Sequence, residues 1–363
     1  MANAKYILYS LKLAYMELPL LGFAIEFLTM ITPIVVAFAA GLVGWVYQAL
    51  KPPPPKICGS PNGPPLTSRR VKLNDGRHLA YREFGVPKEK AQHKIILSHG
   101  YYDSRHMYLA ASQELMEELN ACIILYDRAG YGESDPYPSR SAKTEAFDIE
   151  ELADKLELDS KFYVIGFSLG AYPIWSCLKY IPHRLVGACL VVPFVNYWWP
   201  SIPSALAKQS FRKLPLLFQF TYGIAHYTPW IYYWWTKQKW FPSMFSEGMF
   251  IDYDLELLKK IIDTPNNNQE EIIQQGEYES LHRDVLVAYA NWEFDPMELT
   301  NQFKEGSVHL WQGSADRVIC NELNHYVVQK LPWIRYHEVP NVGHLFVYDP
   351  ENFEAIMRSL LAR

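Results

Sequence analysis

The pentapeptide Gly166-Phe-Ser-Leu-Gly170 places a serine between an apolar run, Phe162 to Ile165, and a segment compatible with a helix. A tight strand-to-helix turn of this G-x-S-x-G kind holds its central residue in a strained conformation, with the side chain exposed at the carboxyl edge of a sheet. A serine hydroxyl is a weak nucleophile near neutral pH unless a base removes its proton. The pattern therefore predicts nucleophilic catalysis by Ser168, through a covalent acyl-enzyme.

A base and an acid that could activate Ser168 follow it in the sequence. Asp316 follows a predicted strand and a glycine-containing loop, and His344 follows the predicted strand Ile334 to Val339 and its loop. Both lie at the carboxyl end of a strand, where the sites of open α/β sheets collect. We predict that His344 takes the proton of Ser168 and that Asp316 orients His344. Asp295 remains an alternative acid.

Two backbone amides are candidates for an oxyanion hole, which must stabilise the negative charge that develops on a substrate oxygen. One is the amide of Leu169, directly after the nucleophile. The other is the amide of Tyr101, in the loop after the predicted strand Lys94 to Ser98, where Gly100 allows the chain to turn. We expect His99 in the same loop to be a structural histidine and not a base.

The elements that would position these residues alternate between apolar strands and helices, apart from an N-terminal hairpin. This alternation predicts an α/β fold with a mostly parallel sheet and helices on both faces. An Asn-Asp-Gly turn predicts an antiparallel hairpin at one edge. The predicted hairpin strands are Arg70 to Leu73 and Arg77 to Phe84, the later strands are Lys94 to Ser98, Ala121 to Tyr126, Phe162 to Ile165, Leu185 to Val192, Ser307 to Trp311 and Ile334 to Val339, and the helices include Leu109 to Leu119 and Thr144 to Leu158.

The alternation stops between about residues 195 and 295, where helical segments are interleaved with clusters of Trp and Tyr. We predict an inserted helical cap over 195–295, between the two parts of an α/β core, 70–194 and 296–363. The aromatic side chains could pack the cap onto the core, line a pocket or contact a bilayer. Tyr102, Trp198 and Trp199 are the candidate substrate-binding residues.

The N-terminal residues 1–50 are predicted to form a membrane anchor. Residues 27–50 carry no charge, and a helix of this length rises about 36 Å, enough to cross a bilayer core of about 30 Å. A secretory signal peptide and a buried core helix are the alternatives. More Lys and Arg residues follow the span than precede it, which favours a single-pass protein whose catalytic part faces the cytosol. The endoplasmic reticulum is a candidate membrane.

Residues 51–69 are predicted to be a proline-rich linker. The first part of this segment, 51–65, contains seven prolines, which favour extended polyproline II over helix. We interpret it as a semi-rigid spacer between the membrane and a soluble domain.

Composition excludes several classes of function. The net charge of -5 and the pI of about 6.1 give no basis for nucleic-acid binding. The five cysteines are far apart, so neither a disulfide framework nor a zinc site is expected. We expect no metal and no cofactor.

Five motifs together resemble those of the α/β-hydrolase superfamily, over about residues 70–363. They are Ser98-His-Gly100, Asp127-Arg-Ala-Gly-Tyr-Gly-Glu-Ser-Asp135, Gly166-Phe-Ser-Leu-Gly170, Gly313-Ser-Ala-Asp-Arg317 and Asn341-Val-Gly-His344. The anchor, the linker with Cys58-Gly-Ser-Pro61 and the aromatic cap with Asn196-Tyr-Trp-Trp199 further resemble a plant group of membrane-anchored members. Tyr101-Tyr102 departs from the residues that many relatives carry after His-Gly.

The resemblance and the motifs imply a membrane-anchored serine hydrolase that acts on a carboxylic ester of a lipophilic molecule or lipid. A serine at the elbow differs from the carboxylate nucleophile of the dehalogenases and epoxide hydrolases in this superfamily. Because fold alone does not determine function, two alternatives stay open. One is a non-hydrolytic lyase or cyclase that uses the same residues, and the other is a hydrolase-derived small-molecule receptor.

Overall fold

The computed structural model describes residues 2–242, 248–262 and 269–362. The chain divides into two compact units, residues 1–51 and 52–363. The first unit is helix α1 (Ala2–Leu50). Among the described residues, the part of this helix from Glu26 to Leu50 is the one segment long and apolar enough to cross a membrane. None of its most apolar stretch is buried inside the structure.

The proline-rich segment after α1 contacts the rest of the second unit from Lys56 onward. The amides of Lys56 and Cys58 donate to the main-chain and side-chain oxygens of Gln275, at 2.9 and 3.1 Å. The amide of Thr67 donates to the carboxylate of Glu133 at 3.0 Å. Most of the predicted spacer is therefore part of the second unit, and its backbone donates to buried residues there.

Within the described residues, eight strands form one sheet in the order β1-β2-β4-β3-β5-β6-β7-β8. The pairs β1–β2 and β2–β4 are antiparallel, and the remaining pairs are parallel. This arrangement confirms the predicted α/β fold with an antiparallel hairpin at one edge. The strands are β1 (Arg70–Lys72), β2 (His78–Gly85), β3 (His93–Ser98), β4 (Ala121–Tyr126), β5 (Phe162–Phe167), β6 (Leu185–Val191), β7 (Val308–Gly313) and β8 (Arg335–Val339).

The central strands are buried on both faces, which explains why they form continuous apolar runs and do not alternate. All six residues of β4 are buried, and one side of the sheet packs on a cluster that includes Ile96, Ile124 and Val164. The other side packs on a cluster that includes Ile95 and Ile165. Successive residues of a strand thus supply opposite layers of the core.

Helices cover both faces of the sheet, and more helices follow β6. The helices after α1 are α2 (Gln113–Glu118), α3 (Ala142–Lys155), α4 (Ala171–Tyr180), α5 (Ser204–Lys213), α6 (Leu216–Tyr227), α7 (Tyr232–Thr236), α8 (Asp252–Ile262), α9 (Gln269–Ile272), α10 (Arg283–Tyr289), α11 (Asn321–Lys330) and α12 (Pro350–Leu361). Helix α3 begins at a reciprocal capping box. The Ser141 hydroxyl accepts from the amide of Thr144 at 3.2 Å, and the Thr144 hydroxyl accepts from the amide of Ser141 at 2.9 Å.

Two of these helices differ from the sequence-based expectation. Helix α2 begins four residues later than predicted, because Ser112 caps it by accepting from the amide of Leu115 at 3.1 Å. Helix α8, inside the predicted cap, packs Leu257 into the core cluster beneath the sheet, with Leu258 and Ile261 against it. The segment between β6 and β7 therefore contributes to the core as well as covering it.

Candidate active site

Ser168 lies at the turn between β5 and α4, as the pentapeptide predicts. Its φ of 53° is in the left-handed region, which is unfavourable for a residue with a Cβ. The turn packs closely on the loop after β3, since a Cβ on Gly170 would lie 2.3 Å from the carbonyl oxygen of His99. Glycine at 170 thus lets the turn at Ser168 and the loop after β3 meet.

The structure brings Ser168, His344 and Asp316 into one hydrogen-bonded chain. Nε2 of His344 lies 2.9 Å from Oγ of Ser168, and Nδ1 of the same ring lies 2.9 Å from Oδ2 of Asp316. The three residues come from the carboxyl ends of β5, β8 and β7, which meet at one edge of the parallel sheet. This geometry would allow the imidazole to take the serine proton while the carboxylate fixes its tautomer.

The carboxylate of Asp316 is oriented by its own loop. Its Oδ1 accepts from the amides of Val318 and Ile319 at 2.8 and 3.0 Å. Its Oδ2 accepts from the side-chain amide of Gln312 at 3.0 Å and faces His344. Asp295, the alternative acid, instead accepts from the amides of Met297 and Ser201. One oxygen caps the turn that follows Asp295, and the other accepts from a residue 94 positions away, so neither oxygen bonds His344.

Tyr101 and Leu169, the expected oxyanion donors, line the same cavity as Ser168. The amide of Leu169 belongs to the first turn after the nucleophile, where backbone N–H groups have no partner inside the helix. His99 is buried beneath the loop, and its Nε2 accepts from the amide of Arg128 at 3.2 Å. Burial lowers the pKa of His99 well below its ordinary value, so the ring is neutral and structural.

A cavity of about 820 Å³ opens above Ser168 and His344. This volume falls in the range of small-molecule sites, about 300 to 1,000 Å³. The walls are mainly aromatic and aliphatic side chains from the core, α6, α8 and α10, among them Tyr101, Tyr197, Tyr222, Phe241, Met249 and Leu258. The site can therefore hold a substrate with a large apolar part next to the serine.

Of the three candidate substrate-binding residues, Tyr102 lines the cavity, whereas Trp198 and Trp199 are not among its lining residues. The ring of Trp198 stacks on His226 at 4.2 Å, and its Nε1 donates to the hydroxyl of Tyr227 at 2.7 Å. Trp199 is buried in the core. Trp199 packs on Trp175 of α4 in the core, whereas the aromatic neighbours of Trp198 all lie between residues 195 and 295.

Two functional groups near the site gave no signal in the sequence. Asp254 of α8 is buried, and its carboxylate accepts from the amides of His344 and Leu345 at 3.1 and 2.8 Å. Asp103 lines the cavity and accepts from the hydroxyl of Tyr348 at 2.9 Å. Burial raises the pKa of Asp103 to about 6. Neither carboxylate belongs to a motif, because each acts through partners distant in sequence.

The residues that the structure describes include no group of three or more His, Cys, Asp and Glu side chains that could hold a metal ion. A serine in a strained turn, a histidine within hydrogen-bond distance and a buried carboxylate form the arrangement needed for acyl transfer.

Comparison with known proteins agrees with this fold. A sequence profile described as the alpha/beta hydrolase family matches residues 95–356. No curated protein matches the sequence. A hydrolase from Pseudomonas aeruginosa aligns with 82% of this chain and 99% of its own at 18% identity, with a TM-score of 0.54. A thermophilic esterase from Thermogutta terrifontis aligns with 81% of this chain and 98% of its own at 20% identity, with a TM-score of 0.54.

An enol-lactonase from Burkholderia xenovorans aligns over 81% of this chain and 98% of its own, at 14% identity and a TM-score of 0.54. At these identities the solved structures are similar to this chain in fold, and the family assignment comes from the sequence profile, which covers more than half of the chain. The chain belongs to the α/β-hydrolase family, and its sheet and helices have that fold.

Proposed function

We propose that this protein is a serine hydrolase that cleaves a carboxylic ester of a lipophilic molecule or lipid. The observation that carries the proposal is the chain Ser168–His344–Asp316, with both links at 2.9 Å, opening into an apolar cavity of about 820 Å³. The solved structures similar in fold include a hydrolase and an esterase, which supports the same class.

The reaction proceeds through an acyl-enzyme. Oγ of Ser168 forms a bond to the ester carbonyl carbon while its proton passes to Nε2 of His344. The resulting oxyanion lies against the amides of Leu169 and Tyr101. When it collapses, the bond to the alcohol oxygen breaks and His344 gives that oxygen its proton. A water molecule then repeats the sequence, releases the carboxylic acid and restores Ser168, while Asp316 stabilises the imidazolium in both halves.

The proposed substrate has a large apolar part, because aromatic and aliphatic walls surround the nucleophile. Tyr102 and Tyr197 line the cavity, as do Tyr222 of α6 and Leu258 of α8. Binding would then depend mainly on removing apolar surface from water, at about 25 cal/mol per Å². The rate of hydrolysis should therefore rise with the chain length of the ester until the cavity is filled.

We further propose that α1 anchors the enzyme in a membrane as a single-pass helix, with residues 51–69 as the linker. In this division 195–295 is the cap and 70–194 with 296–363 is the hydrolase core. The excess of Lys and Arg after the span favours orientation of the catalytic part towards the cytosol, and we propose the endoplasmic reticulum as the membrane. An N-glycosylation acceptor inserted beside Lys90 would remain unmodified in cells, whereas modification there would contradict this orientation.

Labelling with a fluorophosphonate tests the proposed chemistry. Full-length protein in membranes should react at Ser168, as located by mass spectrometry, and Ser168→Ala should not react. His344→Ala should lower the labelling rate by at least about 1,000-fold. Hydrolysis is then measured on p-nitrophenyl esters of increasing chain length. Folded protein that binds these esters without labelling or turnover would refute the proposal and favour a receptor.

A further inference from the structure

The cap carries an exposed apolar surface on α6, α7 and the turns beside them. In α6 the side chains of Leu216, Phe220 and Tyr227 are 60 to 70% exposed. At 3.6 residues per turn these three positions lie within about 40° of one another, so they form one stripe along the helix. We call this surface the cap apolar face and define it by six exposed residues, which are Leu216, Phe220, Tyr227, Trp230, Trp234 and Trp240.

The cap apolar face continues without a break from α6 to α7. Pro229–Ile231 is a short 3-10 turn directly after α6, and it leads into α7. Nε1 of Trp235 in α7 donates to the hydroxyl of Thr221 in α6 at 2.9 Å, which holds the two helices side by side. Trp230 and Trp234 are four residues apart and both exposed, as neighbours on one side of a helical turn are.

The opposite side of α6 is part of the cavity wall. Phe218, Tyr222 and Ala225 are buried, and Tyr222 lines the cavity together with Leu214 and Phe241 from the chain on either side. The core of the protein therefore already uses one face of the helix. Tyr227 of the exposed stripe accepts from Nε1 of Trp198, and most of the surface of all three stripe residues remains exposed.

The charged residues in the chain segment that carries the cap apolar face are all basic. The sequence from Leu185 to Ser246 contains no Asp or Glu, although the whole chain has a net charge of -5. The basic residues of this stretch are all exposed, and they are Lys208, Arg212, Lys213, Lys237 and Lys239. Lys213 pairs with Glu322 of α11. The surface thus combines exposed Trp, Tyr and Phe side chains with a local excess of cations.

We propose that the cap apolar face docks on a lipid bilayer that carries anionic headgroups. Trp and Tyr prefer the boundary between headgroups and acyl chains, and basic residues beside them are attracted to anionic lipids. A second copy of the chain would place these cations against the same cations, because a twofold interface joins identical surfaces. Like charges so opposed are unfavourable, which leaves the bilayer as the occupant that complements both the apolar side chains and the charge.

A fluorescent label on the stripe tests this docking in the full chain. Gly223 lies on the exposed side of α6, and a Cβ there meets no atom within 4 Å, so Gly223→Cys can carry the label without displacing a neighbour. The label is NBD, and Cys320→Ser removes the one native thiol that is not buried. The control label is placed at Phe147→Cys, another exposed position, on α3. Near-UV circular dichroism verifies that both variants are folded.

Labelled protein is reconstituted in nanodiscs of phosphatidylcholine, with or without 30% phosphatidylserine. We expect the label at 223 to shift to the blue and to be quenched by doxyl-labelled lipids, more strongly with phosphatidylserine, while the label at 147 stays in water. Lys237→Gln with Lys239→Gln should lower the ratio of docked to undocked protein about 25-fold, since each lysine near an anionic surface contributes about fivefold. The matched pair Lys161→Gln with Lys179→Gln should change the ratio less than twofold.

Three results would overturn the proposal. The first is a label at 223 that doxyl lipids do not quench in either disc. The second is quenching that is independent of both phosphatidylserine and the two lysines. The third is a blue shift that appears only with two protein molecules per disc and without lipid quenching, because a second copy would then cover the surface.

Discussion

Removing Asp254 tests how the structure holds the proposed catalytic base in place. This carboxylate is buried on α8, and its two oxygens accept from the consecutive amides of His344 and Leu345 at 3.1 and 2.8 Å. It also accepts from the amide of Ile251 at 3.3 Å. The loop after β8 is thereby fixed by a residue 90 positions away, beside the imidazole that contacts Ser168.

Asp254→Ala leaves two buried amides without an acceptor. Each unsatisfied group costs about 1 to 3 kcal/mol, so we expect the free energy of unfolding to fall by about 2 to 6 kcal/mol. Displacement of the loop by about 1 Å would lower the rate of chemistry at Ser168 by about 100-fold. Asp254→Asn keeps one acceptor oxygen and should lose about half as much stability.

The two effects are measured separately, by urea unfolding and by the rate of fluorophosphonate labelling in folded protein. Asp252→Ala is the matched control, since Asp252 is an exposed acidic residue in the first turn of the same helix. It should change the unfolding free energy by less than about 0.5 kcal/mol. If Asp254→Ala behaves as this control does in both assays, the reasoning about the loop is refuted.

Gly343 provides an independent check of the same contact. A Cβ at this position would lie 1.9 Å from Oδ2 of Asp254, so Gly343→Ala must displace the carboxylate or the loop. In the Asp254→Ala background the obstructing atom is gone. The double-mutant cycle should therefore show that Gly343→Ala costs at least about 1 kcal/mol less there than in the wild type. Additive costs would contradict direct contact.

Three further predictions concern charges and packing outside the triad. Burial raises the pKa of Asp103 to about 6. Between about pH 4 and 6 the folded protein therefore keeps a proton on Asp103 that the unfolded chain has lost, and the contribution of this group to stability falls as the pH rises through that range. In urea unfolding, the stability of Asp103→Asn relative to the wild type should be higher at pH 7.5 than at pH 4. An equal difference in stability at the two pH values would refute this. For Asp284, burial favours a higher pKa, but the charges of Arg128 and Arg140 together with the hydrogen bonds from Arg128 and Tyr131 outweigh it, and the net pKa is lowered. Its stabilisation is present above about pH 4 and is lost in acid, so Asp284→Asn should cost about 3 to 5 kcal/mol at pH 7 and less at pH 3. Trp199→Ala should lower the free energy of unfolding by about 3 to 5 kcal/mol because the indole is buried, and Trp198→Ala should lower it less. KM for a short ester should stay the same in both variants, and a raised KM would show that the indoles reach the substrate.

The predictions that succeeded at the level of fold rest on local signals. Strands such as Ala121–Tyr126 are continuous apolar runs because both faces of a parallel sheet are buried. The pentapeptide around Ser168 is local as well, since a strand, a strained residue and a helix must follow one another within a few positions. Asp316 and His344 were selected because they follow the serine in that order and each comes after a predicted strand. The structure brings all three residues together.

Features that depend on contacts between distant segments could not be found in this way. Apolar residues from Leu109 onward suggested a longer α2, yet Leu109 and Ala110 pack on the core before the helix begins at its Ser112 cap. The sequence around Trp198 and Trp199 has no local feature that distinguishes them from aromatic residues that line a pocket. Their neighbours decide their role, and those neighbours come from α4, α6 and α10 and from residues beside them.

The position of the segment between β6 and β7 explains how it reaches the site, the core and the outer surface. The chain leaves the sheet after β6 beside Ser168, where the amide of Phe194 donates to the carbonyl of Ser168 at 3.2 Å. Ser168, Asp316 and His344 are nevertheless carried by β5, β7 and β8, which pair in the sheet independently of the outer face of α6. Substitutions of Phe220 or Trp230 should therefore alter lipid docking and leave the labelling rate of Ser168 by a soluble fluorophosphonate unchanged, whereas Asp254→Ala should lower that rate.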